Sequence, residues 1–266
     1  MAAETLWEGH NMKPTFLNHD KPLLTVMLQC EKPETVIERV KKSLEIGAEA
    51  YGLQVENLLP EYQNKTYISQ IFSEMQGKPC YVTNYRNHNN KGKSDEQLAE
   101  ELLEIAGYGG TLFDIMGDMF CEHVDQLTDN AEAIEKQMKL IDELHSMGAE
   151  VLMSSHISRF VSTEEVLKIA LEQQRRGADI VKIVTDADSM DKQLENLRTT
   201  HLLKEKLDVP FLFLSRGVCK IHRRIGGIMG CCMYLCVYEH DKLSTKTQPM
   251  LKHIKPIRDN FITTDV

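Results

Sequence analysis

The chain has 266 residues, 42% of them hydrophobic, and sets 31 Lys and Arg against 40 Asp and Glu for a net charge of −9. That length suits a single α/β barrel with a sizeable core, and the acidic balance disfavours a nucleic-acid partner, because phosphate binding draws on an excess of Lys and Arg. Seven cysteines, an odd number with no apolar leader in Met1–Lys21, argue against a disulfide framework, and no apolar run is long enough to cross a bilayer, so the expectation is a cytoplasmic protein with reduced thiols.

Residues 1–21 read as an N-terminal arm. Eight short apolar runs follow: Leu23–Leu28, Ala50–Val55, Pro79–Asn84, Gly110–Ile115, Glu150–Ser154, Ile180–Val184, Pro210–Leu214 and Met229–Val237. Most are flatly hydrophobic, as expected for parallel strands covered on both faces. Between them lie helical patterns with recognisable ends. Pro33 opens a helix at Glu34–Ile46 that Gly47 closes. Asn130–Met147 stops at Gly148, and Thr163–Arg176 starts after Ser162 and stops at Gly177. Three helix-to-strand joints read alike: Gly47-Ala48-Glu49, Gly148-Ala149-Glu150 and Gly177-Ala178-Asp179. Eight strand–helix units without a GxGxxG after the first strand predict one (β/α)8 TIM barrel over 1–266, with a short tail at 262–266.

Active sites of such barrels lie at the C-terminal ends of the strands. Lys182 is the most informative residue there, because Ile180, Val181, Ile183 and Val184 surround it with apolar neighbours. Burial disfavours the ammonium and frees the amine to attack a carbonyl; a lysine in a buried ion pair, or one turned outward under a helix, would give the same pattern. His156 ends the preceding strand and fits either a proton shuttle or a hydrogen-bonded rim residue. Arg86 and Arg223 fit a carboxylate clamp or surface ion pairs. Asp114 is expected to face inward, orienting His156 or holding a loop amide. Asp118, Glu122, His123 and Asp125 match no zinc or calcium spacing and read as a solvated loop. Cys231, Cys232 and Cys236 read as buried strand cysteines rather than a metal site.

From about Lys21 to Phe261 this pattern resembles the type I 3-dehydroquinate dehydratase family. Ser154-Ser155-His156 is similar to that family's Ser-x-His, and Gly177–Ile183 resembles its strand with the Schiff-base lysine. Phe113-Asp114-Ile115 is similar to its fourth strand, and Tyr85-Arg86 resembles the arginine after its third. The run from Gly217 through His222-Arg223 to Gly226 and Gly230 resembles its late Gly-rich segment, and Gln248 fits its final glutamine. The resemblance implies an imine between Lys182 and a substrate ketone, His156 removing the neighbouring proton and helping a β-hydroxyl depart as water, and no metal or organic cofactor. The recognition shell departs from the pattern. Gln54 and Glu56 stand where the family has Glu and Arg, Asn90 where it has Glu, Arg216 where it has Met, and His222 where it has Ser. Arg216, His222, Arg223 and Arg224 instead form a basic cluster that suits an anion placed differently.

The expected activity is therefore a hydro-lyase on 3-dehydroquinate or a related polyhydroxylated keto acid. Arg86, Arg223, Gln248, Gln54, Glu56, Asn90, Arg216 and His222 are the candidate substrate contacts. Two alternatives stand beside it: a class I aldolase-like carbon–carbon lyase, since the same imine stabilises either carbanion, and a barrel that only binds a metabolite. A homodimer is the expected assembly.

Overall fold

The structure is a computed structural model and describes residues 14–218 and 220–262. Its strands are β1 (Leu23–Leu28), β2 (Ala50–Gln54), β3 (Cys80–Thr83), β4 (Leu112–Met116), β5 (Glu150–His156), β6 (Ile180–Asp186), β7 (Phe211–Arg216) and β8 (Met233–Cys236). Helices α1 (Pro33–Ile46), α2 (Lys65–Glu74), α3 (Asp95–Ala106), α4 (Ala131–Ser146), α5 (Thr163–Arg175), α6 (Met190–Lys206), α7 (His222–Ile225) and α8 (Leu251–Ile262) follow the strands in turn. All paired strands are parallel, in the order β7-β6-β5-β4-β3-β2-β1-β8. Near the gap the Cys232 amide donates to the Phe211 carbonyl at 2.9 Å, so the sheet comes round to a nearly closed (β/α)8 barrel. Among the described residues no helix is long and apolar enough to cross a membrane.

The elements form where local chemistry directs them. Pro33 starts α1, and Gly47, at φ 103°, ends it in the left-handed region where an L side chain would be strained. Ser94 with Gln97, and Ser162 with Glu165, make reciprocal capping boxes on α3 and α5. Asn130 caps α4. Strands β5 and β6 run two residues further than the apolar pattern alone predicts, to His156 and Asp186, because polar residues continue the ladder at the open rim. By contrast β8 is shorter than Met229–Val237. Cys231 and Cys232 precede it, and only Cys236 of that trio is a strand residue. Six cysteines are free and Cys219 lies outside the described residues.

Alternation decides what fills the barrel. Leu23, Met27, Ala50, Tyr81, Leu112, Leu152, Ile180, Leu212 and Met233 belong to one buried apolar cluster. Gly52 leaves space for this packing: a Cβ there would meet the Met27 sulfur at 2.3 Å and the Tyr81 ring at 3.2 Å. Phe16, only 2% exposed, closes the floor, with its amide donating to Glu150 at 2.9 Å. Of the expected arm, 1–13 lie outside the described residues, and of the expected tail 263–266 do. On the same lower face Arg258 of α8 bridges to both oxygens of Glu49 and to the Pro22 carbonyl. On the upper side buried Arg176 grips the loop after β4, donating to the carbonyls of Gly117 at 3.1 Å and Thr128 at 2.7 Å.

Candidate active site

Above the apolar layer the barrel interior turns polar. Lys182 on β6 has Ser154 of β5 as its register partner. Its side chain is buried, and Nζ donates to Tyr81 Oη at 2.7 Å, Tyr85 Oη at 2.9 Å and Asp114 Oδ2 at 3.1 Å. Both tyrosine hydroxyls also donate to Asp114 Oδ2, and Ser154 Oγ donates to Asp114 Oδ1 at 2.5 Å. Burial holds the lysine below the ordinary lysine range, although Asp114 opposes that shift. Burial and the Asp114 charge push Tyr81 and Tyr85 well up, so both remain phenols. Asp114 thus faces inward as expected but pairs with Lys182, not with His156.

His156 ends β5 beside this cluster, with Tyr85 connecting the two. The Tyr85 ring stands edge-on to the imidazole at 5.3 Å between centroids, while its hydroxyl touches the amine. Desolvation, followed by the charges of Lys182, Arg216 and Arg223, holds the imidazole well below the ordinary histidine range. A neutral ring can accept a proton. The backbone is fixed separately, by the His156 amide donating to Gln126 Oε1 at 2.8 Å. His156 and Tyr85 line a cavity of about 320 Å³ that also meets Arg86, Asp118 and Gln126.

Glu56 follows β2 in a short 3-10 turn, Val55–Asn57, and is fully buried. It accepts Thr83 Oγ1 at 3.0 Å on each oxygen and Gln54 Nε2 at 3.2 Å. Burial raises its carboxyl to about 7, with Asp114 adding to the rise. Arg223, buried on α7, donates Nε to the Ser215 carbonyl at 2.7 Å and leaves its terminal nitrogens without a protein partner among the described residues. Desolvation and then Arg216 lower it to about 10.

Lys182, Asp114, His156, Glu56, Gln54 and Arg223 therefore gather around one interior. Most of the other expected residues are turned to partners within the protein, although Arg86 and Arg216 stay near His156. Arg86 is turned to Asp95, at 2.6 Å from both Nε and Nη2, and to Asp118 at 2.9 Å. Asn90 is buried and donates to Asn84 Oδ1 at 2.7 Å and the Tyr85 carbonyl at 3.0 Å, bracing the segment after β3. His222 packs edge-on to Phe213 and shares a 2.7 Å hydrogen bond with Thr200 of α6, and burial pushes it down to about 3. Arg216 pairs with Asp186 at 2.9 Å and with the Ile157 carbonyl at 2.8 Å. Gln248 is buried in the segment after β8. Asp118 and Asp125 are engaged by Arg86 and Arg159.

Tyr81, Tyr85, Thr83 and Ser154 were not among the expected site residues. The signal that would have found the first three is a period of two: Tyr81, Thr83 and Tyr85 share one parity, and Arg86 has the other.

Comparison with known proteins bears on the family and the fold. The profile of the type I 3-dehydroquinase family matches residues 24–259. A 3-dehydroquinate dehydratase of Clostridium kluyveri is 25% identical over 214 residues, covering 77% of this chain and 79% of that protein. Among solved structures, a 3-dehydroquinate dehydratase from Geobacillus kaustophilus superposes with a TM-score of 0.78 at 14% identity over 93% of each chain. A type I 3-dehydroquinate dehydratase from Clostridium difficile gives 0.76 at 18% identity, covering 91% of this chain and 93% of that one. At those identities the structural likeness speaks to the fold.

Proposed function

The chain belongs to the type I 3-dehydroquinase family, whose members are hydro-lyases, and from that premise we propose that Lys182 and His156 carry out an imine-dependent dehydration of a β-hydroxy ketone such as 3-dehydroquinate. The carrying observation is the amine itself: Lys182 is 4% exposed, hydrogen-bonded to two phenols and one carboxylate, and held below the ordinary lysine range. Asp114 is placed to take the ammonium proton as the amine attacks the ketone carbon. The carbonyl oxygen leaves as water, and the phenols of Tyr81 and Tyr85 are the nearest donors to it. The resulting iminium weakens the adjacent C–H bond. Neutral His156 removes that proton and returns it to the β-hydroxyl, which departs as a second water. Hydrolysis consumes one water and frees Lys182 and the enone, so each turnover releases one water net.

Arg223, with its open terminal nitrogens, supports an anionic group of the substrate on the β7–β8 side. Glu56 opposes a carboxylate on the β2 side. This reading takes a polyhydroxylated keto acid as the partner, and the net charge of −9 supports a small molecule over nucleic acid. It also takes a homodimer in the cytoplasm, which sedimentation at twice the chain mass, with location by tagged expression, would check.

Borohydride trapping tests the core of the proposal. Incubation with 3-dehydroquinate and borohydride is expected to leave a reduced adduct on Lys182 by peptide mass mapping and none in Lys182→Ala, with enone absorbance growing when borohydride is omitted. Absence of an adduct with 3-dehydroquinate and with a panel of keto acids would remove the imine mechanism.

A further inference from the structure

A second polar cavity, of about 130 Å³, lies between the segment that follows β7 and the one that follows β8. Lys220, Arg224, His240, Lys246 and His253 reach it, and no carboxylate lines it among the described residues. In a chain with 40 acidic residues and 31 Lys and Arg, such a one-signed lining runs against the composition. The nearby acid Asp241 does not neutralise it, because its carboxylate is turned to Arg39. Lys246 reaches the Asp241 backbone carbonyl and Ser244 Oγ, and Arg224 donates Nη1 to the Lys220 carbonyl at 2.8 Å. Neither contact cancels a charge.

The inner wall supplies an independent observation. Gln248 is only 6% exposed, yet its amide oxygen has no hydrogen-bond partner among the described residues, and neither does Thr247 Oγ1. A buried polar atom left unpaired costs about 1–3 kcal/mol, so such atoms usually have a partner. A ligand that fits both observations carries negative charge for the cations and an O–H for the amide oxygen. Chloride provides only the first, and a carboxylate lacks the donor. Inorganic phosphate provides both, since near neutral pH its monoanion and its dianion each keep an O–H. The location agrees, since (β/α)8 barrels frequently bind phosphate with the loops after strands seven and eight.

We propose that this cavity is a phosphate site, built by Lys220, Arg224, Lys246 and the buried amide of Gln248. Its test reads phosphate binding and not the Lys182 chemistry. Titrating the full chain with inorganic phosphate in a calorimeter, at constant ionic strength set by chloride, is expected to give saturable binding of one phosphate per chain. The surface pair Lys220→Ala with Arg224→Ala should weaken that binding at least tenfold. Gln248→Leu, which keeps the charges and removes the amide, should weaken it as well. Phosphate heat indistinguishable from that of chloride, or equal binding in the charge-deleted variant, would overturn the site. Binding that survives Gln248→Leu unchanged would reduce it to diffuse attraction and so also count against it.

Discussion

The β4–β6 wall and the β2–β3 wall of the barrel mouth use similar residues to opposite ends. On the first wall, Asp114 accepts from the Lys182 amine and from the Ser154 hydroxyl, and His156 stays free to act beside them. On the second, Arg86 and Asn90 turn their polar atoms into the protein, locking Asp95, Asp118 and the backbone at Tyr85. Charge is therefore spent on reactivity in one place and on holding a loop in the other. Position at a strand end does not decide which; the direction the side chain takes does. Glu56 sits between the two, buried among hydroxyl and amide partners and only partly ionised near neutral pH.

Four substitutions probe this contrast. The largest effect is expected at the reactive wall. His156→Ala should lower turnover by about 10²–10⁴-fold in an enone-absorbance assay, while borohydride still captures the slower-forming Lys182 adduct. An unchanged rate would place the proton transfer elsewhere. Next, Asp114→Asn leaves the buried ammonium without its counter-charge and should cost about 3–5 kcal/mol in urea unfolding. Because Asp114 holds the lysine up against desolvation, the acid limb of imine formation should also move to lower pH.

Glu56→Gln addresses the intermediate position through pH. The Glu56 carboxyl rises from 4.5 to about 7 on burial, so the folded state holds its proton more tightly than the unfolded chain does. Its contribution to stability is full below pH 4.5 and is lost as pH rises through 7. The amide should remove that dependence, a difference of roughly 3 kcal/mol across the window, seen as a flatter stability curve in denaturant melts. The smallest effect belongs to the locked wall. Arg86→Ala should cost about 2 kcal/mol of stability, as expected for charge-assisted hydrogen bonds, with little change in KM. A large rise in KM with stability intact would instead make Arg86 a substrate ligand.

Much of this architecture was legible in the chain. Apolar runs, most of them flat, marked all eight strands, because strands buried on both faces leave little room for polar residues, and Gly47, Gly148 and Gly177 marked helix ends where φ must be positive. Lys182 stood out for the same reason, as a charge among residues that exclude water. Side-chain direction beyond the strand ends was harder to read. Tyr85 and Arg86 are neighbours, and only the parity continued from Tyr81 separates the one that meets the amine from the one that leaves it. Partners far along the chain, such as Thr200 for His222 and Asp118 for Arg86, depend on the folded arrangement and carry no local signal.

The meeting of β1 with β8 has a consequence for biosynthesis. Leu23 lies against Met233 and Val26 against Cys236, so the first strand waits through more than two hundred residues of translation for its neighbour. Until then β1 presents an open, apolar edge, the kind of surface on which nascent chains pair with one another or recruit holding factors. Arg258 then joins α8 to Glu49 beside that seam, which makes α8 the clasp of a barrel whose eighth strand arrives about two hundred residues after its first.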